Sequence, residues 1–390
     1  MDSIFYLSQG KIIAFQDGRE ICHTSEAVEK YRRNILDIYK RKEWKTSGQG
    51  AMFMGASTRH IDESSLQTQV EALLLIDEEN LAYGANMDTS CGIYIKDPVE
   101  PQAPDRFILR RTDTNIFYLD YEPQEKLLAL SVSDGSIERH LALCYSEKGD
   151  FSQITEGESI DIMPSFSRRD PKELYFSSSG LFFDTQRQTA HFSAYAINKL
   201  DLRSGEIKEI IAEVNYDFIR PREAADGTLY CIRRPRQTKK SSGFSLLDIL
   251  LVPLRILKAI FSWLNFFSQR YTGESLTKRS SGPNPAKNQE KTDEEIFIEG
   301  NLINAAKTLK ENTNSGDKFP GFAPKAWELV RLAENSKWDT IKKGVLDYTF
   351  SATGDIIYSN GKYIIHIQDD KDEKKLCQAH LATNLSMPRS

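Results

Sequence analysis

The sequence predicts an all-β chain of the propeller type, and three observations carry that prediction. Short strands rich in aromatic and β-branched residues are punctuated by polar turns such as Ser133-Asp134-Gly135, Ser204-Gly205 and Asp226-Gly227. The apolar anchors Leu81, Leu128, Leu174 and Leu229 recur at spacings of 47, 46 and 55 residues, close to the roughly 40 to 50 residues that one four-stranded blade uses. The two ends of the chain carry matching strand-turn-strand phrases.

Composition narrows the alternatives. With 39% apolar and 27% charged residues, the 390-residue chain is neither disordered, collagen-like nor a membrane protein of many spans. A formal charge of −5 argues against a surface that binds nucleic acid as a whole. Five widely spaced cysteines (Cys22, Cys91, Cys144, Cys231, Cys377) include no Cys-x-x-Cys pair or zinc spacing. They read as small buried side chains of a protein in a reducing, cytoplasmic compartment. The first residues, Met1-Asp2-Ser3-Ile4-Phe5-Tyr6-Leu7, lack the positive region of a signal peptide.

Taken in order, the chain opens with Ile4-Phe5-Tyr6-Leu7-Ser8-Gln9-Gly10-Lys11-Ile12-Ile13, a hairpin whose Gly supplies the positive φ of its turn. Residues 25–42 follow as an amphipathic helix. Ser25 is its cap, and Val28, Tyr31, Ile35, Ile38 and Tyr39 recur at helical spacing. This helix reads as an insertion on the outside of the first blade, or as a docking helix for a partner. Paired strands then recur: Leu81-Ala82-Tyr83 with Gly92-Ile93-Tyr94-Ile95, Leu127-Leu128-Ala129-Leu130 with Leu141-Ala142-Leu143-Cys144, and Leu174-Tyr175-Phe176 with Ala194-Tyr195-Ala196-Ile197. Leu229-Tyr230-Cys231-Ile232 begins a unit that is interrupted. Residues 294–310 read as a helix before Trp327-Glu328-Leu329-Val330-Arg331-Leu332 resumes that unit. The last phrase is Ile356-Ile357-Tyr358-Ser359-Asn360-Gly361-Lys362-Tyr363-Ile364-Ile365, the counterpart of residues 4–13. Pairing of strands from the two ends would close the ring and remove its open edges.

Residues 161–178 carry a resemblance. The run Asp161-Ile162-Met163-Pro164-Ser165-Phe166-Ser167-Arg168-Arg169-Asp170-Pro171-Lys172-Glu173-Leu174-Tyr175-Phe176 resembles the blade repeat of bacterial TolB-like, WD-repeat-like β-propellers, which reads P-x-[WF]-S-P-D-G-x-x-[LI]-x-F. Weaker echoes are Pro221-Arg222-Glu223-Ala224-Ala225-Asp226-Gly227-Thr228-Leu229-Tyr230 and Tyr348-Thr349-Phe350-Ser351-Ala352-Thr353-Gly354-Asp355-Ile356-Ile357-Tyr358. Pro171 stands where the family places Gly. Three legible units and three inferred ones give six blades. The resemblance implies protein binding at a propeller face and assigns no individual residue.

The segment 233–292, inserted in the fifth blade, differs from everything around it. It holds twelve Lys and Arg against three Asp and Glu, a net of +9, so the remaining chain carries −14. Within residues 244–271 the polar side chains Asp248, Arg255, Lys258, Ser262, Asn265 and Gln269 recur at intervals of 7, 3, 4, 3 and 4. On a helix they form one narrow stripe, with Leu247, Leu250, Leu251, Leu254, Leu257, Phe261, Trp263, Leu264 and Phe267 covering the rest. Pro253 kinks this helix or marks the start of its main part. Arg255 and Lys258 would each cost on the order of 2.5 to 3.5 kcal/mol at the centre of a bilayer, which disfavours a span. An interfacial helix suits the pattern better, with Trp263 at headgroup depth and the flanking Arg233, Arg234, Arg236, Lys239 and Lys240 drawn to anionic lipid. The other reading is a contact with a protein partner. The polar tail after residue 277 reads as a tether.

Catalytic signatures are missing: no G-x-S-x-G, Walker, G-x-G-x-x-G or H-E-x-x-H pattern occurs, and the six histidines are scattered singly. The reading is therefore a non-catalytic interaction scaffold without cofactor, in the cytoplasm at the inner face of the cell membrane, held to a membrane surface or a partner by the inserted helix. The alternative is a propeller hydrolase or lactonase, which requires three or four Asp, Glu, Asn or His side chains around a divalent ion in the central channel.

Overall fold

The computed structural model describes residues 3–46, 68–88, 90–184, 189–236, 295–298, 301–332, 338–368 and 372–388. In chain order the first elements are β1 (Ile4–Ser8), β2 (Lys11–Gln16), β3 (Arg19–His23) and α1 (Glu26–Thr46). The second and third groups of strands are β4 (Thr68–Leu75), β5 (Leu81–Met87), β6 (Ser90–Lys96), β7 (Arg106–Thr112), β8 (Asn115–Glu122), β9 (Leu127–Ser133), β10 (His140–Tyr145) and β11 (Phe151–Gln153). Next come β12 (Ser159–Phe166), β13 (Glu173–Asp184), β14 (Thr189–Phe192), β15 (Ala196–Asp201), β16 (Ile207–Ile211), β17 (Tyr216–Glu223) and β18 (Leu229–Pro235). The chain ends with β19 (Glu295–Ile298), β20 (Asn301–Asn304), α2 (Ala305–Asn314), β21 (Glu328–Leu332), β22 (Trp338–Lys343), β23 (Asp347–Phe350), β24 (Ile356–Ser359), β25 (Tyr363–Ile367), β26 (Glu373–Gln378) and β27 (Thr383–Ser386).

Two compact units result. The first, Met1–Tyr31, Gln67–Arg236 and Ala305–Ser390, is a six-bladed propeller. Its blades are β27-β1-β2-β3, β4 to β7, β8 to β11, β12-β13-β15-β16 with β14 on the end of β13, β17-β18-β21-β22, and β23 to β26. The second unit, Arg32–Leu66 and Gln237–Asn304, contains the later turns of α1 and the hairpin β19-β20 among its described residues.

The ring closes as the edge argument requires. β27 pairs antiparallel with β1, Phe5 opposite Ser386 and Leu7 opposite Thr383. The matching end phrases are not themselves this closure. They are β1-β2 and β24-β25, the second and third strands of adjacent blades, so their similarity is that of equivalent positions in a repeat.

Middle strands such as β6 and β9 are buried along their whole length, because a neighbouring blade covers each face. That is why they read as continuous apolar runs rather than alternating ones. The TolB-like stretch lies on β12, a tight turn and β13. There the Asp170 carboxylate accepts the Lys172 amide at 3.0 Å and the Arg203 guanidinium at 2.7 and 2.9 Å, holding the turn that carries Pro171.

The helix expected at 25–42 is α1. Ser25 caps it, accepting the Val28 amide at 3.3 Å, and its first turns pack Val28 against the first two blades. The helix expected at 294–310 is corrected. Only its C-terminal part is helical, α2, whereas Ile296-Phe297-Ile298 and Leu302-Ile303 belong to the strands β19 and β20. Two short runs containing β-branched residues, separated by Glu299-Gly300, favour a hairpin over a continuous helix. After α2 the chain is fixed to the sixth blade: Asn312 Nδ2 donates to the carbonyls of Gly321 (2.8 Å) and Ala323 (3.1 Å), and the Phe322 amide donates to the Asn360 carbonyl.

Candidate functional site

Of the residues singled out for membrane or partner binding, Lys239, Lys240, Leu247, Leu250, Leu251, Leu254, Arg255, Leu257, Lys258, Phe261, Trp263, Leu264 and Phe267 lie outside the described residues. Arg233, Arg234 and Arg236 are described, at the root of the insertion. Arg234 is 2% exposed, sets its Nε 3.3 Å from Asp217 and stacks over Trp327. Arg233 pairs with Glu328 and lies over the Tyr216 ring. Burial opposes ionisation of Glu328, but the hydrogen bonds from Arg233 and Lys343 outweigh it and hold the carboxyl below its usual range. Arg236 donates from Nη2 to the Phe192 carbonyl, and from its amide to the Asn215 carbonyl at 2.9 Å. Arg236 thus reaches from the fifth blade to β14 on the fourth, while Arg233 and Arg234 are held within the fifth blade, at the place where the insertion leaves.

The innermost strands β27, β4, β8, β12, β17 and β23 stand side by side around the propeller axis. Met163, Arg220 and Asn384 adopt positive φ there, 55°, 56° and 52°, at irregularities in β12, β17 and β27. These are bulges that turn the strand within the ring. Carboxylates on the same strands bind the next blade. Asp120 accepts the Phe166 amide at 2.7 Å, and Glu223 accepts the Ser167 hydroxyl and the Arg168 amide, both at 2.6 Å. Asp347 accepts the Leu385 amide at 3.1 Å and lies 3.3 Å from Arg220, whose carbonyl in turn accepts the Tyr348 hydroxyl at 2.8 Å. Two spaces along the axis measure about 20 and 30 Å³, room for one water each. Among the described residues no group of three His, Cys, Asp or Glu side chains is placed to hold a metal ion.

A larger cavity, about 190 Å³, opens between the sixth and first blades. Ile4, Phe15, Ile357 and Leu376 line it, with Asp17 and His366 among its polar walls. His366 Nε2 is 3.1 Å from Asp355 Oδ2, which also accepts the Thr353 hydroxyl at 2.9 Å. Sequence reasoning passed over this place because its walls come from opposite ends of the chain and His366 has no partner nearby in sequence. The turn Asp17-Gly18 was its one local signal.

No family model matches the chain, and no curated protein matches its sequence. Solved structures share the fold. TolB from Acinetobacter baumannii is 10% identical, over 100% of this chain and 67% of its own, with a TM-score of 0.50. The tricorn protease is 12% identical over 99% of this chain and 34% of its own, with a TM-score of 0.48. A chain of a nidogen/laminin complex is 6% identical over 99% and 98%, with a TM-score of 0.48. At these identities the likeness concerns the propeller fold alone. No helix among the described residues is long and apolar enough to cross a membrane.

Proposed function

We propose that this chain is a non-catalytic propeller scaffold that binds a partner protein at a propeller face and is held to an anionic membrane surface by residues 244–271. In this reading it works in the cytoplasm, at the inner face of the cell membrane. One observation supports it above the others: a net charge of +9 and a long apolar run are concentrated in a single connection between β18 and β21, while the remaining chain carries −14. A connection of that length is more often functional than structural. The spaces along the axis, at about 20 and 30 Å³, agree with a scaffold better than with a substrate channel.

The charge contribution is measurable. Each Lys or Arg near an anionic surface contributes about 1 kcal/mol, a factor of about five in binding. Replacing Lys239, Lys240 and Lys258 together by Gln is expected to weaken sedimentation with phosphatidylserine-containing vesicles by roughly a hundredfold and to leave binding to neutral vesicles unchanged. Equal binding by the variant and the parent chain would remove the lipid part of the proposal.

A further inference from the structure

The cavity between the sixth and first blades has the make-up of a ligand site. Its walls are apolar on both sides of the joint, Ile4 and Phe15 from the first blade, Ile357 and Leu376 from the sixth. An apolar space of about 190 Å³ is not stabilised by water, which needs two to four polar partners, and accepts an apolar group of matching size.

Its polar lining consists of Asp17, Ser351, Thr353 and His366, of which Asp17 alone carries a carboxylate. Asp17 occupies the first position of a tight β2-β3 turn, with φ of 50° followed by 76° at Gly18, and is exposed. Among the described residues its carboxylate has neither a hydrogen-bond nor an ion-pair partner. Asp355 stands behind the opposite wall, its Oδ2 bonded to His366 and Thr353. Among the described residues no lysine or arginine lines the cavity, and Lys374, opposite His366 in the strand register, is exposed outside it.

We infer that this joint binds a small primary amine with a short aliphatic or aryl tail, the ammonium at Asp17 and the tail among Ile4, Phe15, Ile357 and Leu376. The carboxylate selects the charge, and the walls select the size. A carboxylic acid of the same shape would bring like charge to Asp17 and desolvate its own head without a partner. This site is independent of the partner-binding face and of the inserted segment.

Calorimetric titration of the full chain with phenethylamine, 3-phenylpropanoate and 2-phenylethanol tests it. The amine is expected to bind with a Kd below about 1 mM, at least tenfold more tightly than the acid. Asp17→Asn, a residue suited to the same turn, should lose about tenfold for the amine and keep the affinity for the alcohol. Leu376→Trp should abolish binding of both, with the thermal midpoint reporting whether that variant is folded. Equal affinity for amine and acid, an Asp17→Asn variant that binds the amine as the parent does, or no binding to the folded parent chain would each overturn the inference.

Discussion

Asp347 has no exposed surface and Arg220 is 5% exposed, so this pair joins the fifth and sixth blades out of contact with solvent. Breaking a buried pair leaves a charge without its partner, which is worse than replacing both. Asp347→Ala is expected to cost about 3 to 5 kcal/mol in a denaturant titration. Arg220→Met combined with Asp347→Leu should cost less than the single change. His23 offers a second test at this scale. Its side chain is buried, neither ring nitrogen has a hydrogen-bond partner among the described residues, and Phe5 packs against it edge-on. Burial first, then the charge of Lys96, push its pKa down from 6.5 to about 4, with Asp97 opposing. The unfolded chain therefore binds this proton more readily than the folded one. The stability tied to neutral His23 is complete above pH 6.5 and is lost as pH falls from 6.5 through 4. His23→Gln should flatten that part of the profile, and an unchanged slope in denaturant titrations at pH 7 and pH 4.5 would contradict the assignment. Neither Arg220–Asp347 nor the setting of His23 was legible in sequence, because each partner comes from a distant strand.

The blades themselves were legible to a much greater depth than their joints. The strand-turn-strand phrases at Leu81, Leu128, Leu174 and Leu229 mark the second strand of four successive blades, and each Gly turn falls where a hairpin needs it. Local pattern carries this information because a blade is built almost wholly from consecutive antiparallel strands. The stretch around residues 294–304 misled for the same reason, since a short apolar run without strict alternation fits a helix and a hairpin alike. The closing strand β27 was invisible as a pattern: Thr383-Asn384-Leu385-Ser386 is only four residues long, and its burial follows from pairing with β1 at the other end of the chain. Leu385 is fully buried against Ile4, Tyr6 and Ile364. Leu385→Ala is expected to destabilise the propeller by about 2 to 5 kcal/mol. Removal of residues 383–390 exposes the β1 edge and should lower the thermal midpoint further, with aggregation on heating. A truncated chain that melts as the parent does would mean that β27 is not the element closing the ring.

At the scale of the whole molecule, the formal charge of −5 conceals a division: twelve Lys and Arg against three Asp and Glu in residues 233–292, and a strongly acidic remainder. The propeller keeps its own joints satisfied by side chains such as Asp120, Glu223 and Asp347, so its carboxylates near the axis are engaged in holding blades together. At the root of the insertion Arg233 and Arg234 are tied to Glu328 and Asp217 within the fifth blade, and Arg236 reaches the Phe192 carbonyl. The most direct measurement is flotation with anionic and neutral liposomes, comparing the full chain with one lacking residues 241–272. The proposal predicts that the full chain floats with anionic liposomes at low salt, that salt weakens this, and that the shortened chain stays at the bottom of the gradient. A full chain that remains in solution at low salt, or a shortened chain that floats equally well, would contradict it.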